Sequence, residues 1–113
     1  AYIMNGGCSD DCFEYFRLWV ISRGKDAYQK AKTNPDSLVS ELVTGKDYYE
    51  FETFWYVALL AFKKNTGKEL YDYIDYENHK YSEGKYPQFE FNWQEEKPES
   101  MKVICPHLYE KLW

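Results

Sequence analysis

The run Asn5-Gly6-Gly7-Cys8-Ser9-Asp10-Asp11 constrains this chain more than any other stretch. Asn-Gly and Gly-Gly tolerate positive φ and mark a tight turn. Ser9, Asp10 and Asp11 then offer three helix N-cap side chains in a row. Asp11 and Glu14 have capping-box spacing. Behind them Cys12, Phe13, Phe16, Trp19 and Val20 recur at helical spacing. A helix to about Arg23 is therefore predicted, with Gly24 just past its end. Glu14 and Arg17 can pair on its surface.

A short helix over Asp26–Lys32 is expected to stop at Asn34-Pro35. Asn34 as cap and Pro35 at the first position then open a third helix. Its apolar face is Leu38, Val39, Leu42 and Val43, and Gly45 ends it. The fourth, Tyr48–Asn65, capped by Asp47, is expected to be the long core helix. Its stripe is Phe51, Phe54, Trp55, Ala58, Leu59 and Phe62. Beyond Gly67 the pattern changes. Leu70–Tyr86 is polar and Tyr-rich, and Phe89, Phe91 and Trp93 alternate with polar residues as in a short strand or extended arm. Gln94–Ser100 reads as a loop, and Pro106 starts a terminal helix, His107–Trp113. The expected fold is mainly α: a single compact helical domain over residues 1–113, of about four to five helices, with a Tyr-rich irregular or short-strand segment near the C-terminus.

At 113 residues the chain can bury roughly two thirds of its unfolded surface. Aromatic residues make up 20%, enough to supply both a core and a contact surface. A net charge of -5 disfavours nucleic acid and permits a basic protein partner. A mean hydropathy of -0.73, with no apolar run near the ~20 residues of a bilayer span, argues against a membrane protein. Cys8, Cys12 and Cys105 are too few and odd in number for a disulfide framework. Reduced thiols and the lack of a basic, apolar leader point to the cytoplasm.

A glycine-rich loop opening a helix can hold an anion. Here Asp10 and Asp11 occupy that end, and the glycine spacing fits no dinucleotide or phosphate fingerprint. Cys8, Cys12, Cys105 and His107 are zinc-type ligands, but at the spacing of no common finger, and their convergence needs the chain ends to meet. No metal and no cofactor is expected. Cys8 precedes a helix, where thiol pKa values fall, while Asp10 and Asp11 push the other way. The candidate ligand-contacting residues are Asn5, Cys8, Ser9, Asp10, Asp11, Arg17 and Trp19. One of the acids is expected to pair with Arg17 or Lys111 at the rim of a cleft beside Trp19 and the helix Tyr48–Phe62. The leading expectation is a noncatalytic protein-binding module, of immunity or regulatory type. The alternative is a small enzyme or ligand pocket centred on Cys8, Asp10, Asp11 and Arg17.

The run AYIMNGGCSDDCFEYFRLWVISRGKDAYQKAKTNPDSL resembles the bacterial domain-of-unknown-function family 4240, through NGGCSDD, YFR-x-W and NPDSL. FETFWYVALLAFKKNTGKEL and PHLYEKLW match it more loosely. Cys12 stands where members commonly have a small residue, and Tyr71–Met101 is longer and richer in Tyr. Members also carry helical sequence ahead of the Ala-Tyr start, so this chain is expected to begin inside the domain, with the apolar face Phe13–Val20 partly uncovered. The resemblance implies a mainly helical intracellular bacterial domain and no particular reaction, ligand or partner.

Overall fold

Helix starts and stops follow from single side chains. In the computed structural model, which describes residues 1–75 and 90–113, α1 (Tyr2–Asn5) is one turn, closed by Gly6 at φ 65. Such a left-handed position favours glycine. Ser9 is the cap of α2 (Asp10–Ser22): its Oγ accepts the Cys12 N–H at 3.2 Å. The expected Asp11–Glu14 capping box is absent. With Ser9 as cap, Asp11 already lies inside the helix, and Glu14 accepts from Arg17 at 2.8 Å instead.

Gly24, at φ 96, leads into α3 (Lys25–Thr33). Asn34 Oδ1 accepts the Asp36 N–H at 3.1 Å and opens the next segment, as expected. That segment is a 3-10 helix, Pro35–Glu41, shorter than the helix the sequence suggested. Leu38 is buried, with Val39 and Leu42 packed beside the core, while Val43 faces outward. The backbone of Val43 is taken by Tyr49, whose hydroxyl accepts its N–H at 3.1 Å and donates to its C=O at 3.4 Å. Those groups are spent on a side chain rather than on another helical turn.

The long core helix Tyr48–Asn65 does not form as one element. Residues 47–51 are non-helical, followed by a 3-10 helix, Glu52–Tyr56, and α4 (Val57–Thr66). Two contacts pin the start of this stretch. Asn5 Oδ1 accepts the Tyr49 N–H at 2.8 Å, and the Tyr15 C=O accepts the Phe51 N–H at 3.1 Å. These N–H groups are thus bonded outside the segment, and the helix starts only after them. α4 has no buried residue.

Further along, α5 (Glu99–Lys102) arises within a stretch expected to be mostly loop, with Met101 only 2% exposed. The terminal helix is α6 (Pro106–Leu112). Trp93 does not sit in a strand; its ring packs on Tyr2 at 5.0 Å. Most of the expected Tyr-rich segment, Phe89 included, lies outside the described residues. Among those described, the fold is mainly helical, with a single isolated bridge between Gln94 and Lys97. No described helix is long and apolar enough to cross a membrane.

Two compact units are present: Ala1–Trp55 with Asn92–Trp113, and Tyr56–Phe91. In the first, Met4, Phe16, Trp19, Val20, Leu38, Tyr49, Cys105 and Leu108 form the core. Trp19 meets Tyr49 edge to face at 5.0 Å. Trp113 donates its indole N–H to the Ile3 C=O at 3.0 Å, so the first and last helices lock together. In the second, Phe62 packs on Tyr73 at 5.6 Å, and Lys63 pairs with Glu69.

Candidate functional site

The NGGCSDD loop is held from beneath by Asn5. This side chain is 9% exposed and uses both ends: Nδ2 donates to Cys12 Sγ at 3.3 Å, and Oδ1 accepts from Tyr49. It ties α1 to α2 and to the segment after Gly45. Ser9 is committed to its cap. Trp19, 4% exposed, belongs to the core, with the Lys46 ammonium 6.0 Å from its ring and 5.4 Å from that of Tyr49.

Arg17 pairs with Glu14 and with neither Asp10 nor Asp11, and among the described residues neither acid pairs with Lys111. Both partners are exposed, at 58% and 43%. The expected acid–arginine pair at a cleft edge is therefore not present, because Glu14, one turn back on the same helix, reaches the guanidinium first. Asp10 and Asp11 point to solvent with no partner among the described residues.

The Cys8 thiol is not activated by its place before α2. Burial first, then the hydrogen bond with Cys12 and the nearby Cys12 and Glu50 charges, push it up to about 11. Such a thiol stays protonated at neutral pH. Cys105 is also pushed up, by burial and by the Asp36 charge. Cys8, Cys12 and Cys105 are all free. The chain ends do meet, as a zinc site would need. Even so, no group of three or more metal-ligating side chains converges among the described residues, and the His107 ring is turned to Asp36.

That Asp36–His107 contact is a feature the local sequence did not announce. Asp36, 5% exposed, accepts from the Leu108 N–H at 2.9 Å, the His107 N–H at 3.2 Å and His107 Nδ1 at 2.6 Å. Burial raises its pKa. The Leu108 N–H, the His107 ring and the His107 N–H together outweigh that and hold the carboxyl below its ordinary value. One signal was available: Cys105, the residue before Pro106, has no good capping oxygen, so α6 had to find its acceptor elsewhere.

The outer side of α2 is the other unassigned feature. Phe16, Trp19 and Val20 close one face, but Phe13 and Ile21 are 49% and 45% exposed. The Arg17 guanidinium lies 5.8 Å from the Phe13 ring centre. The face expected to be uncovered is thus closed over most of its length and open at Phe13. Beside Ile21 lies a shallow depression of about 300 Å³ formed with Gly24, Lys25 and Tyr28. A second, polar groove of about 190 Å³ runs between α3 and the 3-10 helix, with the Arg23–Glu41 ion pair on its wall.

No curated protein and no solved structure matches this chain. Residues 1–64 match the family model described as a protein of unknown function, DUF4240. That match spans more than half of the 113 residues and carries the loop, α2, α3 and the Asp36 segment; the chain belongs to the DUF4240 family.

Proposed function

We propose that this chain is a noncatalytic protein-binding module of immunity or regulatory type, working in a bacterial cytoplasm. What carries the reading is the split between the two sides of α2. The polar groups of the loop before it serve the fold: Ser9 caps, Asn5 braces, and the Cys8 thiol is held protonated. The outward side keeps two large apolar side chains, Phe13 and Ile21, about half exposed around an arginine. Apolar anchors beside Arg are the composition of protein contact surfaces. The net charge of -5 adds a long-range pull on a basic partner.

The test is capture from the native host with the 113-residue chain as bait. A protein recovered in stoichiometric amount, and lost with Phe13→Asp at unchanged melting temperature, is the expected result. A small metabolite that copurifies instead, and is lost with Asp10→Asn or Arg17→Gln, would overturn the reading in favour of a ligand pocket at the loop.

A further inference from the structure

We propose that the outer stripe of α2 is self-complementary and that its occupant is a second copy of this chain, with the two α2 helices antiparallel about a twofold axis at Arg17. This rests on reading the stripe as a protein contact surface, and it names what binds there.

At 3.6 residues per turn, Asp10, Phe13, Arg17 and Ile21 fall on one side of the helix. All four are exposed. Phe13 stands four residues before Arg17 and Ile21 four residues after it. An antiparallel copy therefore sets each Phe13 against the partner's Ile21. The shapes are those of a knob and a hole. Phe13 projects from the amino-terminal half. The depression of about 300 Å³ lies at the carboxyl-terminal end, walled by Ile21 and Tyr28. Gly24 contributes to its lining, and a Cβ built there would meet nothing within 4 Å.

The charges follow the same symmetry. Asp10 opens α2, and Lys25 lies just beyond its other end. Neither has an ion-pair partner within the chain among the described residues. The twofold that matches Phe13 to Ile21 also brings Asp10 to the partner's Lys25. At the axis the two arginines meet, each already neutralised by its own Glu14. Such an isologous contact repeats every pairing twice and closes at a dimer.

Sedimentation equilibrium of the 113-residue chain at rising concentration tests this. The mass is expected to climb from 13.6 kDa toward twice that value. Phe13→Asp is expected to weaken association by at least about tenfold. Asp10→Lys and Lys25→Asp each place like charges together and weaken it. The double variant re-pairs opposite charges and restores it, with circular dichroism confirming that every variant is folded. A monomer at all concentrations overturns the proposal. So does a dimer indifferent to Phe13→Asp, or a double variant no better than the singles. If only self-association fails, loss of host-partner capture by Phe13→Asp still supports the contact surface. If capture is also indifferent to Phe13→Asp, that reading fails too.

Discussion

The Asp36 carboxylate accepts the backbone N–H groups of His107 and Leu108, which lie 71 and 72 positions further along the chain. Helix α6 leaves these two donors without an internal partner, and Cys105 supplies no side-chain bond to them. The cap that α6 lacks locally is thus provided by the 3-10 helix packed against it.

Asp36→Ala is expected to destabilise the first unit by about 2–3 kcal/mol, since it removes charge-assisted bonds to the buried Leu108 N–H and the part-buried His107 N–H. Asp36→Asn should cost less, because one acceptor oxygen remains. Urea denaturation at neutral pH measures both.

The same carboxylate sets an acid limit. Its pKa is lowered in the fold, so the unfolded chain takes up the proton first as pH falls. The stabilisation is fully present above the unfolded carboxylate pKa of about 4 and is lost as pH drops through the lower folded value. The stability gap between wild type and Asp36→Asn should hold from neutrality down to about pH 5 and narrow below about pH 4. Paired unfolding curves across that range are the check.

At the start of α2, Ser9→Ala should cost about 1 kcal/mol through loss of the cap. Within a single chain Asp10 and Asp11 act only on the helix dipole, so at concentrations where the chain is monomeric Asp10→Ala and Asp11→Ala should cost less, about 0.3–1 kcal/mol. Thermal melting of the three variants ranks them. An Asp11 variant as damaging as the Ser9 variant would place the cap at the wrong residue.

Asn5→Leu should cost about 1–3 kcal/mol, because it strands the buried Tyr49 N–H without an acceptor. Tyr49→Phe keeps the ring in the core and loses only the hydroxyl bonds to Val43, about 1 kcal/mol. Equilibrium unfolding separates the two, and near-ultraviolet circular dichroism of Trp19 follows the packing of its neighbour.

With the Cys8 thiol pushed up to about 11, alkylation should be slow at neutral pH and still rising at pH 10. At pH 8 iodoacetamide should label Cys8 more than tenfold more slowly than free cysteine. Mass spectrometry of the modified peptide, timed at several pH values, reads this directly.

The parts of the fold legible in the sequence are those fixed by near neighbours. The turn at Gly6, the extent of α2, the Asn34 cap, the Glu14–Arg17 pair and the Pro106 start all depend on residues within a few positions. The errors lie where a distant partner decides. Tyr49 stood outside the apolar stripe assigned to a helix there. It is instead 1% exposed, because Asn5 and Val43 receive its polar groups. With Phe51 also bonded to the Tyr15 carbonyl, the helix starts late and none of the residues of α4 is buried. The candidate site was read from the same local logic. Ser9 kept its local role. Asn5 and Trp19 turned inward through contacts that periodicity cannot show, and Asp36 acts on residues far beyond its own motif.

The first unit closes only through its last segment, since Cys105 and Leu108 complete the core begun by Met4, Trp19 and Leu38, and the Trp113 indole bonds to the Ile3 C=O. During synthesis, at roughly 5–20 residues per second, α1 and the 3-10 helix Pro35–Glu41 must therefore wait several seconds with the side that receives α6 uncovered. Trp19 and Tyr49 can meet in that interval, yet the place in the core that Leu108 fills stays open until α6 emerges. A nascent chain stalled before Asn92 should bind hydrophobic-surface chaperones, and emergence of α6 should end that binding in one cooperative step.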